Sequence, residues 1–104
     1  MQVTVLGVPG CPHVPVLDER LAEALDGLPA VTVSRQVIVT EDEAARSGMH
    51  GSPTILIDGI DPFAEPGQPD SVSCRLYRGS DGRADGAPSV SQLRAALSTA
   101  AANE

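Results

Sequence analysis

Val14, Leu17, Leu21, Leu25 and Leu28 recur at spacings of three and four, directly after an apolar run from Gln2 to Val8. The recurring set puts one apolar stripe on a helix, with Asp18, Glu19, Arg20, Glu23 and Asp26 between its members, and the helix ends at or just past Gly27. The preceding run is a strand whose mixed apolar faces suit the interior of a sheet. A strand that feeds straight into a helix opens a βαβ unit. The chain that follows must then supply a parallel neighbour reached by a right-handed crossover.

The rest of the sequence supplies it. Val31 to Val39 is rich in β-branched residues and reads as a second strand. Thr40-Glu41-Asp42-Glu43 is a helix start, with Thr40 as the cap and Glu43 reaching back, and Gly48 stops that helix early. A third strand runs from Thr54 to Asp58. Ile60 to Ser71 carries Pro62, Pro66, Gly67 and Pro69 and is a loop, long for a domain of 104 residues. It is either a functional excursion or a surface segment pinned by Phe63. Val72 to Arg78 reads as a fourth strand, with Val72, Cys74 and Leu76 on one face and Ser73, Arg75 and Tyr77 on the other. The company of Val72 and Leu76 predicts a buried, inert Cys74. Gly79 to Ala87 is a polar turn region. Ser89 and Gln92 then form a capping box for a last helix with Val90, Leu93, Leu97 and Ala100 along its apolar stripe, fraying over Ala101 to Glu104. The order is β-α-β-α-β-β-α in a single α/β domain, residues 1–104, whose last two strands can pair as an antiparallel hairpin.

Composition narrows the function. With one Phe, one Tyr and no Trp, the core must be built from Val, Leu, Ile and Ala. The net charge of −7 and the lack of any Lys/Arg cluster argue against nucleic acid and anionic membranes as partners. No apolar stretch is long enough to span a bilayer. Met1-Gln2 leads into the first strand without a basic region or a cleavage site, so a cytoplasmic, reducing compartment is expected. Two cysteines are too few for a disulfide scaffold and lack zinc-site spacing, and neither a metal nor a cofactor is expected.

One of them sits at the strand-to-helix junction, in Gly10-Cys11-Pro12-His13-Val14. Amides at a helix start and the helix dipole favour a thiolate there. Pro12 suits the first helical position. Pro15 does not, because it has no N–H for the carbonyl of Cys11, and a later helix start weakens the dipole argument. The competing reading of Cys11 is a small apolar residue at a strand end.

Cys11-Pro12-His13-Val14 resembles the Cys-Pro-His-Cys active site of bacterial disulfide oxidases, with Val14 in place of the second cysteine. His50-Gly51-Ser52-Pro53-Thr54 resembles the Gly-x-Pro-Thr segment of the thioredoxin fold, whose proline is cis and faces the active site. Together with the element order, this resemblance implies a thioredoxin-like four-stranded mixed sheet with helices on both faces. Two departures are visible: Val14 rules out a two-thiol cycle within one motif, and the 60–71 loop replaces a tight turn. Asp61-Pro62-Phe63-Ala64 and Ser73-Cys74-Arg75-Leu76-Tyr77 also resemble segments of small thioredoxin-like proteins labelled alkylmercury lyase-like, which implies carbon–mercury protonolysis by two thiols and a carboxylate.

Three functions follow as expectations. The first is monothiol redox or thiol transfer with protein or low-molecular-weight thiols. Cys11 would be the nucleophile and His13 would favour its thiolate, or else be an exposed helix residue. Pro12, Ser52 and Pro53 would form the substrate site, and the backbone of Ser52 would be free to pair with an extended substrate. His50 reads as a loop residue. Resolution would then fall to a small thiol or to Cys74. A Cys11–Cys74 bridge needs Cα atoms about 4.4–6.8 Å apart, whereas the start of a fourth strand lies away from the end of the first in such a sheet. The second is soft-metal or organomercurial handling by Cys11 and Cys74 with Asp61 or Asp70 as the carboxylate. The third is a non-catalytic module that binds a protein through the groove beside Pro53.

Overall fold

The computed structural model describes residues 1–28, 30–79 and 81–102. The chain runs β1 (Gln2–Gly7), α1 (His13–Leu25), β2 (Thr32–Val37), α2 (Glu41–Ser47), β3 (His50–Ser52), β4 (Thr54–Ile57), β5 (Ser71–Cys74), β6 (Tyr77–Arg78), β7 (Ala84–Asp85) and α3 (Val90–Ala102). Strand β1 is the centre of a mixed sheet of order β2-β1-β4. It lies parallel to β2, with Val3 opposite Val33, and antiparallel to β4, with Val3 opposite Ile57 and Leu6 opposite Thr54.

Alternation along the strands sorts their side chains into two layers. Val3, Val5, Ile55 and Ile57 face α1 and α3, and pack on Leu17, Leu21, Ala24, Leu93 and Leu97. Leu6 points the other way, into a smaller cluster with Ile38, Ala44 of α2 and Met49, joined by Leu56 and Val72. Helices therefore cover both faces. The join between β1 and α1 is tight: a Cβ on Gly7 would lie 2.5 Å from Cγ2 of Val14, so only a glycine lets the helix return this close to its strand.

The helix boundaries have local causes. Thr40 Oγ1 accepts from the amide of Glu43 at 3.1 Å, and α2 ends at Gly48 with φ of 77°. At the start of α3 the amide of Gln92 donates to Ser89 Oγ at 3.1 Å, while the amide of Ser89 donates to Gln92 Oε1 at 2.9 Å. Ala101 and Ala102 continue α3, whereas Asn103 and Glu104 of the expected fraying stretch lie outside the described residues.

The second half departs from the expected hairpin. Residues 72–78 do not form one strand. They break at Arg75 and Leu76 into β5, which pairs parallel with β3, and β6, which pairs antiparallel with β7 inside the expected turn region. Among the described residues the main sheet thus has three paired strands, not four. The facing is inverted as well. Arg75 and Tyr77 are 4% and 5% exposed, while Leu76 is 69% exposed and Cys74 lies in the open.

A polar network accounts for this inversion. Arg75 Nη1 meets Asp61 Oδ2 at 2.6 Å and Thr54 Oγ1 at 3.2 Å, and its Nη2 donates to the carbonyl of Phe63 at 2.9 Å. The guanidinium also lies 4.5 Å over the Tyr77 ring, which meets Phe63 edge-on at 5.6 Å. A buried charge with this many partners outweighs the apolar preference of its neighbour in the strand. The same contacts pin the 60–71 loop, through Asp61 and through Phe63.

Candidate thiol site

The turn after β1 carries Cys11. Its amide donates to the carbonyl of Val8 at 3.2 Å, and Gly10 takes a φ of 73° to make the turn. Pro9, Gly10 and Pro12 are exposed around it, but Cys11 itself is only 8% exposed. The regular helix begins at His13, with Pro12 in the capping position and no side-chain cap. Pro12 and Pro15 have no N–H, and the amide of Val14 goes to the carbonyl of Cys11 at 3.4 Å. Few amides are therefore left at this helix start to face a thiolate.

Ser52 joins this turn to the next segment. Its Oγ accepts from the amide of Val8 at 3.1 Å, so one residue holds both Ser52 and Cys11. The Ser52–Pro53 peptide bond is cis. Both residues are buried, and the carbonyl of Pro53 accepts from the phenol of Tyr77. Burial pushes that phenol well above its ordinary range. The backbone of Ser52 is not free, contrary to expectation. Its carbonyl accepts from the amide of Arg75 at 3.0 Å, and Ser52 is the register partner of Cys74. Strand β5 of the chain itself lies where an extended substrate would pair.

Cys74 is not the buried thiol that its neighbours predict. Cys11 is the buried one and Cys74 the exposed one, and both are free. The break after β5 exposes Cys74, since it turns Arg75 inward and leaves Cys74 at the last position of a short strand.

His13 lies against the connection between β7 and α3. A Cβ on Gly86 would lie 2.2 Å from its Nδ1, so the ring packs directly on the Gly86 backbone. Arg20 fixes that backbone by donating to Asp85 Oδ2 at 3.1 Å and to the carbonyls of Ala87 and Pro88 at 3.0 and 3.3 Å. The hydrogen bond from Arg20 holds the Asp85 carboxyl below the usual carboxylate range. His50 Nδ1 lies 3.3 Å from the carbonyl of Pro69 and 3.7 Å from Asp70 Oδ1.

Asp61 is committed to Arg75, and both side chains are at most 4% exposed. Its two carboxylate oxygens accept from the Arg75 guanidinium, and one of them also from the amide of Phe63. Arg75, Tyr77, Thr54 and Gly86 shape the site but are not marked by hydrophobic patterning. The available signal was an arginine alternating with a tyrosine in an otherwise strand-like run, downstream of an Asp-Pro-Phe turn in which Phe63 donates its amide to Asp61 Oδ1 at 2.9 Å.

No family model, no curated protein and no solved structure matches the chain. Among the described residues no helix is long and apolar enough to cross a membrane.

Proposed function

We propose that the chain is a thioredoxin-like thiol-exchange protein in which Cys11 is the nucleophile. The observation that carries this reading is the Val8 bridge, which fastens the Cys11 turn to the cis Ser52–Pro53 segment through bonds of 3.2 and 3.1 Å. The parallel β1–β2 pair, the antiparallel β1–β4 pair and helices on both faces support it. In the step proposed, the Cys11 thiol gives its proton to solvent and the thiolate attacks one sulfur of a disulfide. A Cys11 mixed disulfide forms, the original disulfide breaks, and the second sulfur leaves as a thiolate.

The other two readings have less support. Binding an extended polypeptide beside Pro53 needs an edge that β5 occupies, and protonolysis with Asp61 needs a carboxylate that Arg75 holds. The test is exchange between bis(hydroxyethyl) disulfide and glutathione. The protein accelerates it, and Cys11→Ser returns the rate to the uncatalysed background. A Cys11→Ser variant as fast as the wild type overturns the reading.

A further inference from the structure

We infer that β5 is a resident occupant of the Ser52 edge and that its Cys74 resolves the mixed disulfide on Cys11. The protein then takes low-molecular-weight disulfides and cycles through an internal Cys11–Cys74 disulfide. The inference rests on the thiol-exchange reading and names its substrate class and its second thiol.

Strand β5 is clamped in place. The amide of Ser71 donates to the carbonyl of Met49 at 3.0 Å, and the amide of Arg75 to the carbonyl of Ser52, also at 3.0 Å. Between these bonds, Gly51 has a φ of +115°, and a Cβ there would lie 2.8 Å from Cβ of Arg75 and 3.1 Å from the carbonyl oxygen of Ser73. Strand β3 thus carries no side chain where β5 comes closest. The buried Arg75–Asp61 pair anchors the end of β5. An extended polypeptide would have to displace all of this to reach the carbonyl of Ser52, whereas a small disulfide needs none of that edge.

Cys74 is placed to act. It is the register partner of Ser52, next to an irregularity in the β3–β5 ladder where an advance of two residues along β3 matches three along β5. Ser52 Oγ in turn accepts from the amide of Val8, and the carbonyl of Val8 accepts from the amide of Cys11. A short chain of contacts, Cys74 to Ser52 to Val8 to Cys11, thus links the strand of one thiol to the turn of the other. Cys74 is solvent-exposed in a strand that is otherwise fastened, and the turn that must close on it, Pro9 to Pro12, is exposed on either side of Cys11.

The chemistry balances without a further reagent. Cys11 attacks a small disulfide, forms a mixed disulfide and releases one small thiolate. The Cys74 thiolate then attacks the Cys11 sulfur, so the Cys11–Cys74 bond forms, the bond to the small molecule breaks, and a second thiolate leaves. The protein loses two electrons, the small disulfide gains them, and the protons of Cys11 and Cys74 end on the two released thiols. Excess small thiol reverses the sequence.

Oxidised glutathione added to dilute protein, followed by acid quenching, intact mass and peptide mapping, tests this. The wild type loses its thiol hydrogens, keeps no glutathione and yields a linked Cys11–Cys74 peptide. Cys74→Ser stops with glutathione on Cys11. Wild type that keeps glutathione on Cys11 with Cys74 still alkylatable, or that joins two chains through Cys74, overturns the inference and leaves the exchange reading standing. A Cys11 that takes no glutathione in either protein overturns both.

Discussion

The sheet with its helices and the segment from Asp61 to Arg78 are both held by burial, but of opposite kinds. In the first, Val3, Val5, Leu17, Leu21, Ile55 and Leu93 fill a layer with no polar atom to satisfy, and the register follows from apolar periodicity. In the second, the inward side chains are Arg75, Asp61 and Tyr77, with Thr54 of β4 as a partner of Arg75, and the aliphatic Leu76 is turned out. A strand faces whichever way satisfies its most demanding group. An unpaired buried guanidinium costs more than an exposed leucine, so one arginine reverses the facing of its strand.

The largest way to break that contrast is to remove the charge. Arg75→Leu leaves Asp61 buried without its partner, and a loss of about 3–5 kcal/mol is expected. Arg35 also pairs with an aspartate, Asp18, at 2.9 Å, but its side chain is 56% exposed. Arg35→Leu is expected to cost at most about 1 kcal/mol. Urea unfolding of the two variants measures both. Equal losses would show that the Asp61–Arg78 segment is not held by its ion pair, even though the Nε of Arg75 already lacks a partner among the described residues.

Tyr77 offers a smaller effect with a pH signature. Tyr77→Phe leaves the buried carbonyl of Pro53 unpaired and is expected to cost about 1–3 kcal/mol. In the wild type the folded state raises the pKa of the phenol through burial, so the fold binds that proton more tightly than the unfolded chain does. Its contribution is fully present below the unfolded value of about 10 and is lost as pH rises above it toward the folded value. Because the chain has one Tyr and no Trp, tyrosinate absorbance reports this group alone. It should rise together with the loss of far-ultraviolet circular dichroism, in one step above about pH 10. A smooth titration at that pH with the dichroism unchanged would show that the phenol is accessible and not part of the buried network.

The two regions also differ in how far the sequence exposes them. Helices α1, α2 and α3 and strands β1, β2 and β4 are visible because apolar spacing and capping residues are local: Thr40 with Glu43, Ser89 with Gln92, Gly48 at a helix end. The Cys11 turn is legible for the same reason, whereas the Ser52–Pro53 segment stands out only through its resemblance to a Gly-x-Pro-Thr segment. Hidden are the facts that depend on a partner far along the chain. Arg75 finds Asp61 across a proline-rich loop, β5 finds β3 instead of β4, and Gly86 is the floor for His13. The environment of Cys74 hangs on those distant pairings, and the thiol expected to be buried is exposed.

The smallest effect sharpens the comparison most, because two readings of one residue give different magnitudes. By alternation, Leu76 shares a face with Val72 and belongs to the core, where truncation would cost about 2–5 kcal/mol. In the structure it is 69% exposed, between two residues that are each at most 5% exposed. Leu76→Ser should therefore change stability by no more than about 0.5 kcal/mol in either direction. The measurement is the urea midpoint at unchanged slope. A loss in the core range would return Leu76 to the interior and turn Arg75 and Tyr77 outward. It would thereby remove the network that anchors β5, and with it the placement of Cys74 beside Ser52.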